Sequence, residues 1–380
     1  MENSLPLTRK HLLMNKVVII SNIPAPYRVK LYKYMHDQYS NYDFHILYSG
    51  DAKSQGREWT IDENELVNTS FYKVKQITYN GKLYTRYIPF YSNISDILNR
   101  LNPDVIISFE YGLTAIQSLL WCKFKRRKYI HLTDGTIFSE RNISLLQTWS
   151  RRFIIKNSDA FIASSSKSKE KLLHYGADIK KIFVALLTTN IDDYKYHISE
   201  KTSKNNILYV GKCENRKGLD LLFCALTNVK VDFKLKIIGD GESEYIEYLK
   251  QQLLKLNLHD KVSFTPFLEG NELIHEYHNA DVFVLPSRED CFGLVLVEAL
   301  ASGLPIIASK YADGAYDVIE NGVNGIITDP YDPIKMAKDI EEVLIHNRYR
   351  KNAINMSTDK FNFSHIASIY INAIDYVLSE

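Results

Sequence analysis

Short apolar runs alternate along the chain with longer stretches in which apolar positions recur every three or four residues, the pattern of buried parallel strands joined by helices. In the first half the runs are Val17 to Ile20, Phe44 to Tyr48, Val105 to Ser108, Lys128 to His131, Asp159 to Ser164 and Ile182 to Val184, with a helix predicted through Leu31, Tyr32, Tyr34 and Met35. Polar residues from Ser199 to Asn206 then break the pattern and mark a linker. A second series follows at Ile207 to Val210, Phe233 to Ile238, Val262 to Phe264, Val282 to Leu285 and Pro305 to Ala308, with amphipathic helices between that include Leu249 to Leu256 and Asn271 to His278. Two helical stretches after Tyr331 close the chain, and the last, Ser364 to Leu378, is apolar along one face and needs a surface to lie on. The expected fold is α/β, with two Rossmann-like doubly wound domains facing across a cleft. Expected boundaries are a loose tail over 1–13, an N-terminal domain over 14–197, a C-terminal domain over 198–345, and a helical segment over 346–380 packing back on the N-terminal domain.

At 380 residues the chain is long enough to bury two cores. Its formal charge of +2 provides no global field to recruit nucleic acid, and none is expected as a partner. Cys122, Cys213, Cys224 and Cys291 lack the spacing of a metal site or a disulfide framework, which suits a reducing cytosol. No uninterrupted apolar span reaches about 18 residues, and the first 13 residues are too polar for a signal peptide, so a cytoplasmic location is expected.

The strongest chemical signal lies between Val284 and Ser309, where one carboxylate, Glu298, stands in a long apolar run. A bare buried charge is costly, so hydrogen-bond donors are expected around it. Asp290 precedes it by eight positions, the chain turns at Phe292-Gly293, and a helix-like stretch runs on to Gly303-Leu304-Pro305. Gly293 at the start of that helix leaves room for a phosphate against free backbone N–H groups, and Glu298, just over one turn deeper, comes within reach of an attached ribose. A core helix whose single Glu is salt-bridged to a neighbour is the alternative. A second cluster, Gly211 to Gly218, brackets Lys212, Arg216 and Lys217 directly behind a strand. Cations fixed there stabilise the charge that builds on a departing diphosphate, whereas the bland alternative is a solvated turn. Gly239-Asp240-Gly241 follows another strand but is no dinucleotide fingerprint, because Glu244 occupies the third glycine position. Metal chemistry has little support: no Asp-x-Asp occurs, and His275 and His278 lack a third ligand.

The order of acid, seven residues and Glu, with Phe-Gly between and Ala-x-Gly-x-Pro behind, closely resembles the retaining glycosyltransferases of family 4, which have the GT-B fold. The resemblance covers about residues 15–345. It implies that Glu298 holds the donor ribose, that Asp290 and the backbone of Phe292, Gly293 and Leu294 hold the donor sugar and phosphates, and that Lys212 and Lys217 hold the diphosphate. Two departures matter here. The family usually has Glu where Asp290 stands, and Arg where Lys212 follows Gly211, so a methylene and a bidentate fork are given up. Gly239 is implied to line the nucleotide crevice, and Phe267 and Leu268 stand where relatives offer backbone groups to the base. In the N-terminal half many relatives have His-Asp where this chain has Thr133-Asp134, and His131 is displaced by two positions on the same strand face. Asp134 is implied as a catalytic-site residue, with Tyr27, Arg28 and His131 on the acceptor side. A satisfied core histidine is the alternative for His131, and helix packing for Tyr27.

The function this implies is transfer of a sugar, with retention of configuration, from a nucleotide-diphosphate sugar to a lipid-linked glycan acceptor in bacterial surface polysaccharide synthesis, without cofactor or metal. A sugar-nucleotide epimerase-like enzyme of the same fold and a catalytically silent partner subunit are the alternatives. Trp121 to Lys128 holds five cations in eight residues, interleaved with Trp and Phe, and Arg151 to Lys156 extends it. That combination predicts peripheral contact with an anionic membrane at its inner face, against the alternative of a solvated helix end.

Overall fold

The computed structural model describes residues 14–50, 61–80, 85–195, 204–346, 348–356 and 358–380. The tail over 1–13 and most of the linker expected from Ser199 to Asn206 lie outside them. The first half contains strands β1 (Asn15–Ser21), β2 (Tyr42–Tyr48), β3 (Thr69–Phe71), β4 (Val74–Asn80), β5 (Thr85–Ser92), β6 (Val105–Phe109), β7 (Lys128–Thr133), β8 (Ala160–Ala163) and β9 (Ile182–Val184). Its helices are α1 (Pro26–Gln38), α2 (Ile94–Leu101), α3 (Leu113–Lys125), α4 (Leu145–Asn157), α5 (Ser166–His174) and α6 (Ile191–Tyr194). The second half contains β10 (Asn206–Val210), β11 (Lys234–Ile238), β12 (Val262–Thr265), β13 (Val282–Leu285), β14 (Ile306–Ser309) and β15 (Gly325–Thr328). With them come α7 (Leu219–Leu226), α8 (Ser243–Lys255), α9 (Gly270–Asn279), α10 (Val295–Ala301), α11 (Ala315–Val318), α12 (Pro333–Ile345), α13 (Arg348–Asn355) and α14 (Phe363–Ser379).

Two parallel sheets form, in the orders β3-β2-β1-β6-β7-β8-β9 and β12-β11-β10-β13-β14-β15. In each the order reverses beside the first strand, between β1 and β6 and again between β10 and β13, and the crevice outside the strand carboxyl ends at such a point is where ligands bind. The strands are apolar on both faces because helices cover both. Val17 and Ile19 pack with α1 and α14, while Val18 and Ile20 pack with α2, α3, α4 and α5.

The chain's last helix therefore belongs to the first sheet. The Asn362 side chain caps α14 by accepting the His365 N–H at 2.7 Å, and Ile366, Tyr370, Ile374 and Val377 are buried in the core they share with Val17, Ile19 and Ile130, where α14 packs on α1, β7, β8 and β9. The pattern of apolar runs misses β3, β15 and the antiparallel hairpin β4–β5, and three helices rather than two close the chain. The reasons are local: β5 contains Pro89, which argues against a strand, β15 is four residues opening on Gly325, and α13 reads RYRKNAIN, too polar to stand out from a loop.

Candidate functional site

The loops that follow β10 and β13 meet at the switch point of the second sheet. Gly239, at the end of β11, has φ 140°, and a Cβ there would lie 2.2 Å from the Gly211 carbonyl oxygen, so glycine is what lets this strand end close on the first loop. Gly293 has φ 78°, with Leu285 only 2.9 Å from where a Cβ would stand, and it turns the chain into α10. That helix has seven residues, much shorter than the apolar run suggests.

Three cations stitch the two loops together. Lys217 Nζ donates to Asp290 Oδ2 at 2.5 Å, with the side chains 14% and 12% exposed. Arg216 donates to the Glu289 carbonyl at 3.0 Å, and Arg288 forks onto Asp220 at 2.8 and 2.6 Å. Burial pushes the Asp290 carboxyl up, but Lys217 and Arg216 outweigh it, together with the Phe292 N–H, and leave it below its usual range and ionised. The solvated-turn reading holds for Lys212, which is exposed, and fails for Arg216 and Lys217.

Glu298 has a different setting. It is 9% exposed, and the Tyr277 hydroxyl from α9 donates to its Oε2 at 2.8 Å. The Tyr194 hydroxyl, from α6, also acts on this carboxyl and favours its ionised form, and the two tyrosine rings meet edge to face at 5.7 Å. Among the described residues no cation pairs with it, so the salt-bridged core helix is not what forms. Burial pushes its carboxyl up to about 7, with the two hydroxyls pulling the other way. Of the other residues expected to line the donor site, Phe292 is buried, Leu294 and Leu268 are partly buried, and Phe267 is 41% exposed. The Phe267 N–H, expected to face a base, donates to Asp240 at 3.2 Å.

The first sheet contributes Asp134 at the end of β7. Both of its oxygens accept from Arg28 Nη2 at 2.7 Å, and the Ser164 hydroxyl donates to it as well. Arg28, implied on the acceptor side, is 4% exposed, lies 4.4 Å over the Phe109 ring and pairs with Asp134. Tyr27, beside it at the start of α1, is half-buried. His131 is also corrected, on both readings. It is fully buried, its ring is 4.4 Å from Tyr111, and neither ring nitrogen has a partner, while burial holds it neutral by lowering its pKa well below the usual range. Its strand face is closed by a charged cluster that left no motif in the sequence. There the fully buried Lys171 donates to Thr133 at 2.9 Å and Glu140 at 3.1 Å, and Arg151 bonds Glu140 at 3.0 Å.

The two sets of strand ends face each other. Arg141, after β7, pairs with Glu289 at 2.5 Å, Phe138 stacks on Tyr311 at 5.3 Å, and the Ser166 N–H reaches Asp317 at 3.0 Å. Sequence reasoning missed Tyr194 and Tyr277. The burial cost of Glu298 demanded donors, but with 26 tyrosines in the chain no motif says which ones supply them.

The basic segment also reads differently in three dimensions. Trp121 is buried and donates to Asn99 at 2.9 Å, Lys123 pairs with Asp159, Arg127 pairs with Asp104, and Arg151 is committed to Glu140. The apolar residues that do face solvent include Leu120 and Phe124 on α3 and Leu145, Leu146 and Trp149 at the start of α4. Among the described residues no helix is long and apolar enough to cross a membrane, and no three His, Cys, Asp or Glu side chains gather as for a metal.

Residues 30–185 match the family described as Glycosyltransferase Family 4, and residues 190–360 that described as Glycosyl transferases group 1. The chain belongs to the family 4 glycosyltransferases of GT-B fold. It is 29% identical to the D-inositol 3-phosphate glycosyltransferase of Xylanimonas cellulosilytica over 201 residues, 48% of each chain. The chain spans about half the length of the curated relatives it matches. Its fold is that of HepE from Anabaena, solved in complex with UDP, with a TM-score of 0.78 at 18% identity over 95% of this chain and 100% of that one. The lipopolysaccharide outer core galactosyltransferase WaaB is similar too, with a TM-score of 0.71 at 18% identity over 95% and 99%.

Proposed function

We propose that this family 4 protein transfers a sugar from a nucleotide-diphosphate sugar to a glycan acceptor, with retention of configuration, in bacterial surface polysaccharide synthesis. The observation that supports it most is the pairing, within one segment, of Asp290 locked to Lys217 and Glu298 held by neutral hydroxyls, at the switch point of the second sheet. Glu298 takes the ribose diol, and Lys217, with Lys212 at the exposed edge, takes the charge that builds on the leaving diphosphate. Asp290 fixes Lys217 and, with the turn at Phe292 and Gly293, borders the donor sugar. Departure and attack occur on one face, and the leaving phosphate accepts the acceptor's proton. The UDP complex of HepE and the lipopolysaccharide role in the name of WaaB favour the donor class and the pathway. The deciding experiment incubates the protein with UDP- and GDP-sugars and a lipid-linked acceptor. Nucleotide release with an anomer-retained product supports the transferase. Release or isomerisation without acceptor turnover points to an epimerase-like enzyme, and a lack of both points to a silent subunit.

The lipid-linked acceptor brings the protein to the inner face of the membrane. Helices α3 and α4 carry five lysines and arginines and no acid; Phe124 stands exposed beside Lys125 at the end of α3, and Leu145, Leu146 and Trp149 stand exposed on the first half of α4, which carries the exposed Arg152 and Lys156 further along. Each basic residue near an anionic surface contributes roughly 1 kcal/mol, and the apolar tips enter the headgroup layer. The protein is expected to sediment with phosphatidylglycerol vesicles and to be released when Leu145, Leu146 and Trp149 are replaced by Ser. Unchanged sedimentation of that variant places the contact elsewhere.

A further inference from the structure

Resting on the donor reading above, we infer that Tyr277 and Tyr194 are positioning residues that present the Glu298 carboxylate, in its ionised form, to the 2′,3′-diol of a donor nucleoside. A carboxylate offers about four lone-pair sites. One is taken here by the Tyr277 hydroxyl from α9, and the Tyr194 hydroxyl, brought by α6, acts on the same carboxyl from a second element, so that its orientation is set from two sides. The remaining sites match the two hydroxyls of a ribose, which donate as a vicinal pair. Among the described residues no cation shares the task. Helix α10 also packs against α11, α13, β13 and β14, but their titratable groups look elsewhere. Asp317 accepts from Ser166, Arg348 and Tyr349 turn to Glu342, Arg350 donates to the Ala280 carbonyl, Tyr316 and Lys351 are exposed, and the two strands carry no ionisable group. On α6, Asp193 acts on Tyr194.

Neutral donors hold a charge in place without cancelling it. A lysine there would neutralise Glu298 and compete with the diol, whereas a hydroxyl leaves the negative charge for the ligand. Tyr277 is the firmer of the two, fully buried with its ring against Phe283. Tyr194 stands at the end of α6, and its backbone carbonyl is bonded by the His278 ring at 3.1 Å, which ties α6 to α9.

The test is calorimetric binding of UDP and GDP, and of their 2′,3′-dideoxy counterparts, from pH 6 to 9. Wild type should prefer the ribose form by about tenfold or more, with affinity falling as the pH drops through about 7. Tyr277→Phe removes a donor that favours the ionised carboxyl. The midpoint of its affinity should therefore move up by about one pH unit, the preference for ribose should shrink at pH 7, and binding should recover by pH 9. Tyr194→Phe should behave alike to a smaller degree, and Glu298→Gln should lose both the pH dependence and the preference. A purely structural role for the tyrosines would lower affinity equally at every pH, and that result overturns the inference. So does wild-type binding that ignores the diol, which leaves the donor reading intact. Failure to bind any of the four nucleotides sinks the donor reading and this inference together.

Discussion

Asp290 and Glu298 are buried carboxylates of the same short segment, and their surroundings drive them in opposite directions. Asp290 has Lys217 at 2.5 Å and Arg216 nearby, and it is held ionised below the usual range. Glu298 has the Tyr277 hydroxyl bonded to it, Tyr194 acting on it and, among the described residues, no cation, and burial raises it to about 7. The first is a compensated charge whose partner is fixed by it; the second is a charge the fold tolerates at a cost and leaves open to a ligand. A polar group kept at such a cost marks a working site more strongly than a paired one. By the same measure the first sheet is mixed: Asp134 is neutralised by Arg28, and Glu140 by Lys171 and Arg151, whereas burial raises the Glu110 carboxyl, which accepts from the Asp134 N–H at 2.9 Å.

The largest effect should come from breaking the compensated pair. Lys217→Ala is expected to lower turnover by about two to three orders of magnitude, as for loss of one donor to developing charge. Lys212→Ala, at an exposed and unpaired position, should do much less. Initial rates with saturating donor measure both, and equal small losses would remove the diphosphate assignment.

Next comes stability, where the two carboxylates should differ in sign. Unliganded Glu298 binds its proton more tightly folded, at about 7, than unfolded, at about 4.5. Between those values the folded state holds more protons, so stability falls as pH rises through the window and the whole cost is present above pH 7. Glu298→Gln should therefore be more stable than wild type at pH 8, by up to about 3 kcal/mol, and should lose that advantage near pH 4. Asp290 is lowered when folded, so its contribution is present above the ordinary carboxylate value and is lost as pH falls through the folded one. Asp290→Asn strands Lys217 and should cost about 3 kcal/mol at pH 8, with the difference shrinking in acid. Urea unfolding at the two pH values decides it: variants that shift the same way would erase the distinction between the two sites.

Much of this pair was legible before any coordinates, because its logic is local. The apolar run around Glu298 announced a burial cost, and the cations between Gly211 and Gly218 announced a diphosphate or a solvated turn. Partners far apart in sequence were not legible. Arg28 meets Asp134 across 106 positions and Lys171 meets Glu140 across 31, and no periodicity encodes such meetings. A basic residue before a helix reads the same whether it waits for an acceptor or fills a core. Trp121 misled for a related reason: its apolar ring suggested an anchor, but helical spacing turned it into the core with Leu119 and Cys122 and left Phe124 outside.

The smallest expected effect is that of chelation, and it bears on the paired side of the comparison. A divalent cation on the diphosphate would need a carboxylate, and the nearest one on this segment, Asp290, is already neutralised by Lys217. Binding a metal there would displace the lysine and leave the net positive charge little changed. Lys217 supplies that charge directly, and held in place by Asp290 it needs no reorganisation when the bond to the sugar breaks. Activity after dialysis against EDTA is therefore expected to stay within about twofold of the untreated protein, well under one hydrogen bond's worth of free energy. Loss of activity in EDTA that manganese restores would mean that Asp290 exchanges Lys217 for a metal in the working complex. The contrast with Glu298 would then belong to the resting protein alone.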